Sequence, residues 1–408
     1  MSSAMSSELV VSGMRPTGAL HLGHYHGALK NWVRLQTGHP CFFFVADWHA
    51  LTTHYDSPDV IEASIWEMVI DWLAAGIDPA QSTLFIQSRV PEHAELHLLL
   101  SMATPLGWLE RVPTYKDQQE KLADRDLATY GFLGYPLLQS ADILMYRAAW
   151  VPVGEDQVPH IELTREVARR FNHLFGREPG FEQKVRDAAA RLGGKASKRY
   201  FELRTRYQEQ GDAAALDEGR ALLQAAASLG QADRERLAGY LDGSRRQILA
   251  EPQALLTEAS RMPGIDGQKM SKSYGNAIAM REDPASVARK IRTMPTDPAR
   301  VRRTDPGEPE RCPVWQLHQV YSPEETRSWA AAGCRSAGIG CLECKQPVIE
   351  AIGREQQGFL ERAQPYLDSP GLVRDIMADG CTRARAAAAE TMRDVREVMG
   401  LAYKGLSV

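Results

Sequence analysis

A chain of 408 residues, 44% apolar and 25% charged, has room for two or three domains with sizeable cores. Its net charge of −4, from 48 basic and 52 acidic residues, excludes a wholesale basic coat for nucleic acid but leaves room for a local basic patch. No basic-then-apolar leader opens the chain and no apolar run reaches about 18 residues, so the expectation is a cytoplasmic protein with no membrane span.

The opening alternates as an α/β protein does. Leu9-Val10-Val11 reads as a short strand, broken by Gly13, Pro16 and Gly18, and helical spacing follows from about Gly23 to Thr37. Cys41 to Ala46 is an apolar run too short for a helix and ended by Asp47, as in a buried parallel strand. Residues 59–75 are helical in spacing, Ser82–Ile86 and Trp150–Val153 read as strands, and Pro159–Phe175 returns to helix. The pattern predicts a doubly wound, Rossmann-like parallel sheet over 1–181, resumed by 251–285. Residues 182–250, rich in Ala, Arg, Glu and Gln with little to bury, read as a helical insertion. Helical patterning then dominates, giving a helical domain over 286–365 and C-terminal helices over 366–408 that pack back on the catalytic body.

Chemistry enters at His21-Leu22-Gly23-His24. Two imidazoles three apart at a helix start share one side, where free N–H groups and the helix dipole favour a phosphate. Gly23 and Gly27, lacking Cβ, let an adenine or ribose lie close to that helix. Far downstream, Lys269-Met270-Ser271-Lys272-Ser273, flanked by Gly264, Gly267 and Gly275, places two ammonium groups on a loop suited to clamp a polyphosphate. Tyr135, Gln139 and Asp142 fall at i, i+4 and i+7 on one face of a helix that Pro136 begins. Gly154, Asp156 and Gln157 end a strand, where open α/β sheets bind ligands. Residues 289–303 carry Arg289, Lys290, Arg292, Arg300, Arg302 and Arg303 against the single acid Asp297, a solvated face or a local surface for a nucleic-acid backbone. Cys312, Cys334, Cys341 and Cys344, spaced C-x21-C-x6-C-x2-C in a Gly-rich stretch, suit a thiolate site for zinc or an iron–sulfur cluster. Cys41 and Cys381 need no ligand.

These motifs resemble the HIGH and KMSKS signatures of class I aminoacyl-tRNA synthetases, present as HLGH (21–24) and KMSKS (269–273). The closer resemblance is to the bacterial tryptophanyl-tRNA synthetase family, through SGMRPTGALHLGHYHGAL (12–29), DWHALT (47–52), GIDPAQSTLFIQS (76–88), GYPLLQSADILMY (134–146) and VPVGEDQVPHIELTREVARRFN (151–172). The resemblance implies that Asp142 accepts the indole N–H of tryptophan and that Tyr135 and Gln157 hold its amino group. Val11, His49, Gln139, Val151 and Val153 would complete that pocket. It implies that Arg15 pairs with charge near the phosphates, that Lys116 reaches the triphosphate, that Asp156 faces the ribose and that Met270 supports the adenine. His21, His24, Lys116, Lys269 and Lys272 would stabilise phosphate charge with Mg²⁺ assisting. The implied partners are ATP, L-tryptophan, tRNA(Trp) and a second copy of the chain. Some members of the family carry a [4Fe–4S] cluster on a cysteine pattern like this one. Three readings compete: a tyrosine-specific synthetase, a coenzyme-biosynthetic adenylyltransferase with an HxGH helix, and a non-catalytic RNA-binding paralogue.

Overall fold

A computed structural model describes residues 9–16, 18–56, 58–112, 129–176, 180–244, 246–256 and 262–403. Five strands, β1 (Val10–Met14), β2 (Cys41–Val45), β3 (Ser82–Ile86), β4 (Trp150–Val153) and β5 (Gln253–Leu256), form one sheet in the order β3-β2-β1-β4-β5. Every pair is parallel. Strand side chains alternate between two cores, as a period of two requires. Cys41, Phe43 and Val45 of β2 enter one core with Trp32 and Trp72, while Phe42 and Phe44 enter the other with Phe85 and Tyr146. Burial on both faces explains why β2 reads as an unbroken apolar run. No such run marks β5, a four-residue edge strand exposed at both ends.

The signature histidines open α1 (Leu22–His24), which passes through a π-helical turn (Tyr25–Leu29) into α2 (Lys30–Leu35). Then come α3 (Asp47–His54), α4 (Asp59–Ala75), α5 (Glu92–Ser101) and α6 (Leu106–Glu110). Next, α7 (Tyr130–Leu144) carries Pro136 in its interior. The expectation that Pro136 begins this helix is thus corrected. Its start is set by Thr129, whose side chain accepts the Phe132 N–H at 3.2 Å. Helix α8 (Val158–Phe175) follows β4.

The insertion forms α9 (Phe181–Arg191), α10 (Gly194–Gln210), α11 (Ala213–Ala225) and α12 (Gln231–Asp242). It buries more than its composition suggests. Val185, Ala188, Tyr200, Leu223, Leu237 and Leu241 make a core of their own, because alanines let the helices approach closely. Tyr200 donates its hydroxyl to the Leu237 carbonyl at 2.6 Å inside it. Glu235 ties the insertion to the body through Arg147 at 3.2 Å and is held within the insertion by Arg246 at 2.8 Å.

The C-terminal half is helical: α13 (Pro284–Thr293), α14 (Pro313–Tyr321), α15 (Glu324–Arg335), α16 (Cys341–Asp368) and α17 (Pro370–Val398). Helix α16 lies along α4, and α17 returns across β3. At that crossing a Cβ on Gly380 would sit 1.7 Å from the Leu84 carbonyl oxygen. Neither backbone can yield cheaply. Gly380→Ala is therefore expected to destabilise the protein by about 3 kcal/mol, seen as a clear fall in Tm. An unchanged Tm would contradict this seating of α17.

Candidate active site

The strand order reverses between β1 and β4, and a cavity of about 430 Å³ opens at their carboxyl ends. This is where open α/β sheets bind ligands, and the volume suits a small molecule. Val11, Gly13 and Arg15 line it from β1 and the turn that follows. His24, His49, Tyr135, Gln139 and Asp142 line it from helices. Val151, Val153, Asp156, Gln157 and His160 complete the wall. All eight residues expected around tryptophan therefore face one cavity. Gly13 has to be glycine for the wall to close, because a Cβ there would meet the Phe44 ring at 2.4 Å.

Asp142 is the charged floor of this cavity, with no solvent exposure. Its Oδ2 accepts from His49 Nε2 at 2.8 Å; its Oδ1 accepts from Gln87 Nε2 at 2.7 Å and His93 Nδ1 at 2.6 Å. Burial alone would push the carboxyl up, but the hydrogen bonds from His49 and His93 outweigh it and hold it below the usual range. Beside it, His160 Nδ1 donates to Gln139 Oε1 at 2.8 Å, and burial lowers the His160 pKa to about 4. This end of the cavity thus pairs one carboxylate with neutral polar groups and valine walls.

At the other end the rings of His21 and His24 stack at 3.7 Å between centroids. Burial, then the neighbouring His21 and Lys272, lower His24 to about 2; burial and Lys272 lower His21 to about 4. Both rings are therefore neutral donors at physiological pH, not cations. The His21 backbone N–H donates to His24 Nδ1 at 3.3 Å, which leaves the His24 proton on Nε2. In the adenylate-forming reaction that the resemblance implies, a neutral donor aimed at a developing charge would act on the transition state more than on bound ATP. His24→Ala is expected to slow adenylate formation by about 100-fold with little change in ATP affinity. Single-turnover rates and ATP titration separate the two; a loss confined to ATP affinity would refute it.

The lysine loop is tied directly to this helix. Lys272 Nζ donates to the Gly18 carbonyl at 2.7 Å, Leu22 N–H to the Ile278 carbonyl at 3.0 Å, and Met280 N–H to the Leu20 carbonyl at 2.9 Å. Lys269 is exposed, whereas Met270 is buried against the Gly23 side of α1. Gly27 has open space beside it, and Gly154 leads into the 3₁₀ turn Glu155–Gln157. The expected Lys116 lies outside the described residues.

Several organising residues carry no sequence signal. Buried Asp71 on α4 accepts the Leu20 N–H at 2.9 Å and Arg281 Nε at 2.6 Å, joining the chain before the histidines to the chain after the lysines. Asn276, also buried, braces the loop by accepting the Ser271 N–H at 2.8 Å and donating to the Lys269 carbonyl at 3.2 Å. Gln87 and His93 behind Asp142 read in sequence as ordinary loop and helix residues.

The basic run does not present one surface. Arg289, Arg292, Arg302 and Arg303 are exposed. Lys290 is paired with Glu282 at 2.7 Å. Arg300 is buried and donates to the Arg303 and Ile339 carbonyls, so its expected place in a tRNA-facing surface is corrected to an internal brace. The four clustered cysteines share a neighbourhood. Burial, then Cys312, Cys334 and Cys341 together, push the Cys344 thiol up to about 12. Cys312 precedes α14 and Cys341 begins α16, and burial pushes the Cys312 thiol up as well. Among the described residues, no group of three or more His, Cys, Asp or Glu side chains is placed to hold a metal ion.

A parallel sheet with a cavity at its switch point, stacked neutral imidazoles at one end and a lysine loop latched to them, defines an α/β enzyme that activates a substrate with a nucleotide. A profile of the class I tRNA synthetases (W and Y) matches residues 6–198 and 227–355. The interruption falls inside the helical insertion. The tryptophan–tRNA ligase of Ralstonia nicotianae is 75% identical over 98% of this chain and 100% of its own. That of Thermotoga maritima is 42% identical over 97% of this chain and 99% of its own. The solved tryptophanyl-tRNA synthetase of Campylobacter jejuni, complexed with ADP and tryptophan, superposes with a TM-score of 0.69 at 27% identity, covering 96% of this chain and 100% of that one. The chain belongs to the class I tRNA synthetases of the tryptophan and tyrosine family.

Proposed function

We propose that the chain is a tryptophan–tRNA ligase. The tryptophan carboxylate attacks the α-phosphorus of ATP in line; the bond to the β-phosphate oxygen breaks and its electron pair leaves with pyrophosphate. A 3′-terminal ribose hydroxyl of tRNA(Trp), the 2′-OH in class I enzymes, then attacks the adenylate carbonyl and releases AMP. The observation that carries this reading is the buried, ionised Asp142 facing a valine-walled cavity, an acceptor that tryptophan can satisfy and phenylalanine cannot. Tyr135 and Gln157 hold the amino group, with Val11, His49, Gln139, Val151 and Val153 around the ring. Gly23, Gly27, Gly154, Asp156, Met270 and Arg15 cradle ATP, and His21, His24, Lys116, Lys269 and Lys272 stabilise phosphate charge, with Mg²⁺ supplied from solvent. ATP–pyrophosphate exchange with each of the twenty amino acids tests it: tryptophan alone should support rapid exchange, and an equal rate with tyrosine would overturn it.

The division into 1–181, 182–250, 251–285, 286–365 and 366–408 places the catalytic body in the first and third parts and tRNA recognition in the fourth. Exposed Arg289, Arg292, Arg302 and Arg303 offer charge to tRNA phosphates there, and Lys290 would do so only by leaving Glu282. The enzyme works in the cytoplasm as a homodimer. Among the described residues no helix is long and apolar enough to cross a membrane.

Cys312, Cys334, Cys341 and Cys344 hold a [4Fe–4S] cluster, with zinc as the alternative. Their soft donors, spacing and electrostatic closeness support it, although among the described residues no three of them are brought together as a metal site. A bound cluster would cross-link the loops around α14 and α16, and no step of either reaction needs it. Anaerobically purified protein is expected to contain about four iron and four sulfide per chain. Cys341→Ser should lower tRNA charging while tryptophan activation largely survives; stoichiometric zinc without iron after anaerobic isolation would decide for zinc.

A further inference from the structure

We infer that His93, with Gln87 beside it and Tyr146 behind it, positions Asp142 so that a single acceptor site, on Oδ2, remains for the substrate. This makes His93 a specificity-determining positioning residue. The inference rests on the reading that Asp142 receives the indole N–H, and it follows from counting lone pairs. An ionised carboxylate offers about four acceptor sites, two on each oxygen. Oδ1 accepts from both Gln87 Nε2 and His93 Nδ1, at 2.7 Å and 2.6 Å, so it is full. Among the described residues, Oδ2 accepts only from His49 Nε2, at 2.8 Å. His49 lines the cavity; Gln87 and His93 are wholly buried and do not. The one open acceptor site is therefore on the oxygen held by the cavity-side histidine. A ring N–H matches it, while a ring edge without a donor leaves it buried and unpaired.

The direction of each proton is fixed from behind. His93 Nε2 meets the Tyr146 hydroxyl at 2.7 Å. Burial and the nearby Asp142 charge hold the Tyr146 phenol well above its usual range, so it keeps its proton; because the Asp142 carboxylate on Nδ1 can only accept, the phenol is the donor to Nε2. Nε2 is then the acceptor, and the ring proton sits on Nδ1, pointing at Asp142. The Phe44 and Phe85 rings, with centroids 6.1 Å and 6.0 Å from that of His93, make the surroundings apolar, where a misdirected donor has no other partner. Sequence spacing hides all of this, since His93 lies on α5 and Tyr146 just beyond α7.

The test compares tryptophan with β-(benzothiophen-3-yl)alanine, which replaces the ring N–H by sulfur. KM for tryptophan and Ki for the isostere are read in pyrophosphate exchange with the full-length enzyme. His93→Leu should raise KM for tryptophan by about 10- to 100-fold while moving Ki for the isostere and KM for ATP by no more than about threefold. His93→Asn, whose amide N–H falls near the position of Nδ1, should stay within about threefold of wild type for all three. Tyr146→Phe, which keeps volume, should reduce the preference for tryptophan by about 3- to 10-fold and carries the test if His93→Leu does not fold. An equal loss of tryptophan and isostere in His93→Leu, or a preference unchanged in either variant, overturns the inference. A wild-type enzyme with no preference for tryptophan over the isostere overturns the Asp142 assignment itself, and this inference with it.

Discussion

Asp142→Asn is expected to lower kcat/KM for tryptophan by about 30- to 1000-fold, equivalent to about 2–4 kcal/mol, and to leave ATP affinity near wild type. The volume is unchanged, so packing cannot account for the loss. What changes is acceptor capacity. Three donors converge on this carboxylate. An amide turns one of its two acceptor oxygens into a donor, so it must face either His49 or the Gln87–His93 pair with an N–H. Either choice sets donor against donor in a site without solvent. The variant should also lose much of its discrimination between tryptophan and phenylalanine, because the charge that penalises an apolar ring is gone. Amino-acid-dependent pyrophosphate exchange checks both effects, and wild-type kcat/KM in the variant would place Asp142 outside the binding site.

Lys272 is expected to impose an alkaline limb on the ATP reaction. Its ammonium is half-buried, and burial lowers its pKa to about 8 against the opposing pull of Asp71. The sign follows directly: the group is charged below that value and neutral above it, so kcat/KM for ATP, which reports the free enzyme, should fall as pH rises through about 8. Bound phosphates favour the charged form and should move the corresponding limb in kcat to higher pH. His21 and His24 cannot produce this limb, since they titrate near 4 and 2. Lys272→Ala should slow adenylate formation by about 100- to 1000-fold and abolish the limb, because one preorganised charge at the leaving pyrophosphate is removed. An intact limb in the variant would assign it to another group.

How far these features were legible in the sequence depends on the distance over which they are encoded. The two histidines stack because they lie three apart on one helical turn, and Tyr135, Gln139 and Asp142 face one cavity because they share a helix face. Four of the five strands announce themselves by short apolar runs, most completely β2, which is buried on both faces. The edge strand β5 and the small-residue core of the insertion escape that logic. One is too short and exposed to show a period, and the other uses alanine, which reads as polar-helix filler until its neighbours are known.

By itself the sequence determined the parallel α/β body, the helical remainder, the paired-histidine and paired-lysine signatures and the residue types that line the cavity. Each of these follows from spacing within a single element, where a period of two or 3.6 residues sets the direction of side chains. Only the tertiary structure decided which groups meet from different elements. It sets Gln87 and His93 on Asp142, joins Leu20 and Arg281 through Asp71, latches Lys272 to Gly18 and turns Arg300 inward. It also decided charge: His21 and His24 are neutral donors, because burial and an adjacent ammonium disfavour their protonated form. Pairings between residues far apart in the chain depend on strand order and helix packing, which no local period records.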